Sequence, residues 1–161
     1  MSYIDRVLQP GETITYSSKL HWIVYVPGWL ILAVGGAGLL LLPGDGAGGL
    51  YFYTSLFVAG VGLGVLFVAW IKRVTTEIAV TNRRLIFKEG FISRRTMEMN
   101  LDKIESIDVN QSVAARLLDY GTIVVRGTGS GLEPFKRIDA PIELRNGVMA
   151  TVPPAASGEN R

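Results

Sequence analysis

The sequence predicts a membrane α-helical hairpin joined to a small, mainly β (α+β) domain. Three observations carry that prediction. Residues 22–42 and 50–71 form two stretches of 21 and 22 residues without a formal charge, and a hydrocarbon core of about 30 Å takes about 20 helical residues to cross. The connector 43–49 reads PGDGAGG, rich in chain breakers, so the two helices are expected to run antiparallel with a tight turn between them. From Thr75 onward the apolar period changes to the two-residue alternation of half-buried strands.

The leader, residues 1–21, precedes the first span. Ile14, Tyr16, Ser18 and Leu20 alternate along it, so it is expected to pair with or pack on the sheet as an added strand. Pro27 lacks the amide hydrogen that a continuous helix needs, so it kinks the first helix or marks its true start. A cleaved signal peptide is the competing reading of this segment. Against it, the apolar run exceeds the about 7 to 15 residues of a signal core and follows a 21-residue polar lead.

Lys19 precedes the first span and Lys72, Arg73, Arg83 and Arg84 follow the second, while the connector carries no basic residue. Positive-inside bias then predicts a multi-pass protein of the cell (inner, cytoplasmic) membrane with both termini in the cytoplasm. Trp22, Tyr25, Trp29 and Trp70 would line one interface and Tyr51, Phe52 and Tyr53 the other. Gly35, Gly36 and Gly38 on the first helix, with Gly60 and Gly64 on the second, offer small surfaces where helices can approach, within the hairpin or between copies. With no charged group inside the spans, two helices cannot line a transport path alone, so a channel or transport role would require an oligomer.

Residues 72–150 are expected to form the β domain. Strands are read near 77–81, 84–88 and 91–100 as a meander, then across 103–110, 122–126 and 135–138. Between them Ser112 is a suitable N-cap for a short helix over 112–118, with Val113 and Leu117 four apart and Gly121 beyond its end. Pro141 suits the first position of a C-terminal helix, whose Ile142 and Met149 are expected to cap the sheet. The tail 151–161 is small, polar and proline-containing and is expected to be disordered.

Several short motifs now line up in order: PGE at 10–12, HW at 21–22, NRRLIF at 82–87, IESI at 104–107, LDYGTI at 118–123 and RGTG at 126–129. Over most of residues 8–145 they resemble the bacterial pleckstrin-homology-like (PH domain) membrane proteins, in which a transmembrane helix pair precedes the domain. The resemblance implies a strongly bent antiparallel sheet with a short helix and a C-terminal capping helix, here shorter than usual because Gly147 lies within it. Fold alone does not carry phosphoinositide binding over from eukaryotic namesakes.

Composition excludes several function classes. The net charge is +2, too small for nucleic-acid binding by phosphate neutralisation. The chain has no cysteine, hence no thiolate nucleophile and no cysteine-based metal site. His21 is the lone histidine, and Glu77, Glu98, Asp102, Glu105 and Asp108 show no acid/base or metal spacing. The segment 127–131, GTGSG, lacks the Gly-Lys-Ser/Thr ending of a phosphate loop and does not open a helix, so it reads as a hairpin turn. No enzyme activity and no cofactor are expected.

What remains is interaction. Lys72, Arg73, Arg83, Arg84, Lys136 and Arg137 are candidate contacts for a lipid headgroup or a partner, since basic side chains near a bilayer are attracted to anionic lipids by about 1 kcal/mol each. Arg94 and Arg95 are adjacent on a strand, so only one can face a given ligand. Residues 72–161 hold 14 basic against 11 acidic residues, a net of +3, in keeping with topology and solvation as much as with lipid binding. The expectation is an integral membrane protein whose domain binds a protein partner or its own copies, with anionic-lipid sensing or an oligomeric transport accessory as alternatives.

Overall fold

The computed structural model describes residues 4, 7–41, 48–90, 95–128 and 134–151. Most of the connector, Arg94, the end of the glycine-rich turn and nearly all of the tail lie outside these residues. The chain divides into two compact units: Trp22–Val74, and the leader together with everything from Thr75 onward.

In the first unit a single 3₁₀ turn, Trp22–Tyr25, leads into helix α1 (Val26–Leu41), followed by α2 (Gly48–Thr75). Pro27 stands in the first turn of α1, where its missing amide hydrogen would have had no partner. Helix α2 continues beyond the apolar stretch and ends with Lys72 and Arg73 in its last turn, where cations complement the negative end of the helix dipole. Residues 72–74 therefore extend the helix, and the β domain begins after them. Both helices are long and apolar enough to cross a membrane, and only 17% of each apolar window is buried within the fold. A core helix of a water-soluble protein would hide that face.

The line along which α1 and α2 touch is built from small residues. A Cβ on Gly35 would stand 2.5 Å from the Ala59 amide nitrogen, and one on Gly62 would stand 2.7 Å from that of Leu32. Gly38 lies against the Ser55 hydroxyl and Gly28 against the Leu66 side chain. Gly35 and Gly38 thus lie on the contact line within the hairpin. Gly60 and Gly64 do not: a Cβ on either, or on Gly36, meets open space. The second helix turns Ala59, Gly62 and Ser55 inward instead, which rotates the 60/64 pair away from α1.

Among the described residues the second unit holds seven strands: β1 (Ile14–Lys19), β2 (Glu77–Thr81), β3 (Arg84–Glu89), β4 (Arg95–Asn100), β5 (Ile104–Asn110), β6 (Tyr120–Gly127) and β7 (Phe135–Asp139), with helices α3 (Val113–Leu117) and α4 (Pro141–Thr151). They form two antiparallel sheets, ordered β1-β2-β3-β4 and β5-β6-β7. The leader enters as β1, paired along β2 from Ile14↔Thr81 to Lys19↔Glu77. Just past it, Leu20 bridges to Ile138 and the His21 amide donates to the Arg137 carbonyl at 2.8 Å, tying the first sheet to the second. The expected single bent sheet is thus two sheets joined at β1 and β7.

Alternation fills the space between them. Ile78, Val80, Leu85 and Phe87 point inward from the first sheet, and Ile107, Ile123, Val125, Phe135 and Ile138 from the second. Phe87 and Phe135 meet across the core with ring centroids 4.1 Å apart, a separation favourable for aromatic pairs. Helix α4 closes this core with Leu144 and Val148. Ile142 and Met149, expected to cap the sheet, are exposed, because the helix turns the face of Leu144 and Val148 inward instead.

Candidate functional site

The structure gives Arg84 a different task from headgroup contact. Its side chain is only 12% exposed. Its Nε and Nη2 donate to the two oxygens of Glu12, each at 2.9 Å, Nη2 also donates to the Val7 carbonyl at 3.0 Å, and Nη1 donates to Glu98. The Thr81 hydroxyl donates to Glu12 at 2.7 Å and accepts from the Arg84 amide at 3.0 Å. The Arg84 hydrogen bonds hold the Glu12 carboxyl down at about 2, against the upward push of burial. This fork fastens the segment before β1 to the β2–β3 turn, and a guanidinium with this many partners has little left to offer a lipid phosphate.

The other basic candidates lie in separate places. Arg83 is exposed at the β2–β3 turn, beside the Ile14↔Thr81 end of the β1–β2 ladder. Lys136 and Arg137 are exposed on β7, next to Leu20, six residues beyond Ile14 and just past the end of β1. At about 3.3 Å per residue those two locations are roughly 20 Å apart, too far for one headgroup. Lys72 and Arg73 belong to α2, and the Arg73 guanidinium lies 5.6 Å from the centre of the Tyr25 ring, a cation–π contact inside the hairpin.

His21 is buried and stacked on Tyr120 at 5.2 Å, with Nε2 3.8 Å from an Asp139 carboxylate oxygen. Ser18 adds a hydrogen bond from its hydroxyl to the Asp139 carbonyl at 2.7 Å. The imidazole thus sits in the seam between β1, β6 and β7, where it locks the last leader residue in place. Among the described residues no group of three or more His, Asp or Glu gathers as a metal site would require.

The most unusual surface is α3. Its backbone is firmly built: the Ser112 hydroxyl caps it by accepting from the Ala115 amide at 3.2 Å, Ala115 is buried, and Gln111 donates to the Tyr120 carbonyl at 2.9 Å. Yet Val113 and Leu117 are 90% and 86% exposed, and Leu118 behind them is exposed as well. Sequence reasoning missed this. Apolar residues four apart mark a helix and ordinarily its buried face, whereas here a single alanine makes the inward contact. The available signal is the brevity of the segment, since one turn and a half cannot bury a stripe and a capping contact together.

These features stand beside one family comparison. A family model described as Bacterial PH domain matches residues 29–150, from within α1 to within α4, so it takes in most of the hairpin and the β domain from β2 onward, while the leader and β1 lie before it. No curated protein and no solved structure matches the chain.

Proposed function

The chain belongs to the bacterial PH domain family, and on that premise we propose that it is a membrane-anchored, non-catalytic module that presents its β domain to a protein partner or to a second copy of itself. One observation carries this reading. Lys19 and Glu77 are direct cross-strand partners, with two residues between Lys19 and the first apolar segment at Trp22 and one between the end of α2 and Glu77. Each strand of this ladder is thus joined to the hairpin segment by no more than two residues. Short connections tether the domain to the hairpin, which suits a module that meets partners in the plane of a membrane.

Basic residues at both outer ends of the hairpin, Lys19 before it and Lys72 and Arg73 after it, support a cytoplasmic placement for the domain and both termini in an inner membrane. The buried, stacked position of His21 and the use of Glu12 and Arg84 within the fold support a binding role over acid–base chemistry. Photoreactive amino acids placed at the exposed positions Arg83 and Arg126 in living cells test the reading. We expect a discrete protein adduct at one position or the other, identified by mass spectrometry as a partner or as this chain. Absence of any protein adduct from both positions, with the chain present in the membrane, would count against it.

A further inference from the structure

We propose that α3 is a bilayer-inserting prong: Val113, Leu117 and Leu118 enter the interfacial layer of the membrane that anchors the chain. The inference goes beyond presentation to a protein partner, and it rests on that reading only for the hairpin crossing a bilayer.

Place in the fold is the first argument. Tyr120 opens β6 two residues after Leu118, and its ring stacks on His21 at 5.2 Å. His21 is the last residue before the apolar segment that begins at Trp22. Tyr120 also pairs with Asp139 in the register that leads to Leu20↔Ile138. The prong therefore grows from the same end of the domain at which the chain continues into its first apolar helix.

Chemistry is the second argument. Valine and leucine are under-represented among the residues that dominate protein–protein binding, whereas aliphatic side chains beside a basic residue are what an interfacial element presents to lipid. Arg116 is exposed on the same short helix, which carries no acidic residue, and its long side chain can reach phosphate while its neighbours sink. Lys136 and Arg137 are exposed on neighbouring β7, opposed by exposed Asp119 and Asp139. The charge at this end is nearly balanced, so the aliphatic side chains drive insertion. Rigidity is the third. A capped helix held by buried Ala115 and by Gln111 presents its side chains ready-ordered, so little entropy is lost on insertion.

The natural absence of cysteine makes the test direct. The full chain is reconstituted in vesicles of phosphatidylcholine and phosphatidylglycerol with a single nitroxide at V113C, L117C, E105C or V61C. Collision of each label with oxygen, which concentrates in lipid, is compared with collision with a water-soluble nickel chelate. We expect the oxygen-to-nickel ratio at 113 and 117 to exceed that at 105 several-fold and to fall below that at 61 in α2. A ratio at 113 and 117 equal to that at 105, while 61 remains lipid-like, overturns the prong and leaves the anchor standing. Water-like ratios at all four positions overturn both. Spin–spin broadening at 113 or 117 that vanishes on dilution with unlabelled chain shows contact between copies and also overturns the prong.

Discussion

In the hairpin the side chains turned outward are Leu40, Phe57, Val34 and Trp29, and the helices meet along Gly28, Gly35, Ala59 and Gly62. In the β domain the order is reversed: Ile78, Phe87, Ile123 and Phe135 meet inside, while charged residues such as Lys136 and Glu105 face out. The difference follows from what each region excludes. Where the surroundings are water, apolar area is driven inward. Helices long and apolar enough to cross a membrane would meet lipid instead, where apolar side chains gain nothing by hiding and close backbone approach holds helices together. Helix α3 belongs covalently to the domain yet wears the surface of the hairpin, which is why it stands out.

The largest effect should come from the domain's buried fork. Replacing Glu12 with Gln, or Arg84 with Met, leaves the other member without its counter-charge in a protected site, a loss of about 3–5 kcal/mol. Urea unfolding in mild detergent, followed by the β signal in circular dichroism, measures it. A change under about 1 kcal/mol would mean that the fork is dispensable to the fold.

The hairpin offers the next test. Gly35→Leu forces side-chain atoms into the Ala59 backbone and should cost about 1–3 kcal/mol, as overpacking does. Gly60→Leu and Gly64→Leu project into open space and should leave hairpin stability in detergent nearly unchanged. If all three variants lose stability alike, the assigned contact line is mistaken.

Acid sharpens the contrast, because the Glu12–Arg84 fork lies within the domain. Glu12 has its pKa lowered from an ordinary 4.5 to about 2, so its contribution to stability is fully present above pH 4.5 and drains away as pH falls toward 2. The Glu12→Gln variant should lose that slope. At the other extreme, burial and then the neighbouring Glu143 charge push the Tyr16 phenol up from 10.0 to about 12. Its contribution holds below pH 10 and is lost between 10 and 12, a step that Tyr16→Phe removes.

The smallest effect belongs to α3. Leu117→Ser should change domain stability in detergent by no more than about 0.5 kcal/mol, the usual range at an exposed site. A large loss would mean that Leu117 packs against the fold, contrary to its 86% exposure.

Much of the architecture can be read from residue order alone. Two long uncharged runs, the breakers between them and the change to a two-residue period predict both units, and the strands β2, β3, β5 and β7 lie within a residue or so of where alternation puts them. Ser112 caps the helix expected to follow it. These features are local: each depends on neighbours within one or two turns, and propensity and periodicity act over that range.

Partnership across the chain was a different matter. Nothing near Arg84 distinguishes it from Arg83, yet one is clamped by a carboxylate 72 residues away and the other is exposed. Gly60 and Gly64 have the spacing of a helix contact, but the rotation of α2 against α1 turned Gly62 inward. Likewise α4 meets the core through Leu144 and Val148 and leaves Ile142 and Met149 outside, though either pair could form an apolar face. Sequence by itself determined which segments are helix, strand or membrane-length apolar run, because short-range sterics and hydropathy decide those. Only the tertiary structure decided which face of each helix is used and which charge finds a partner, because those outcomes depend on how distant surfaces fit when brought together.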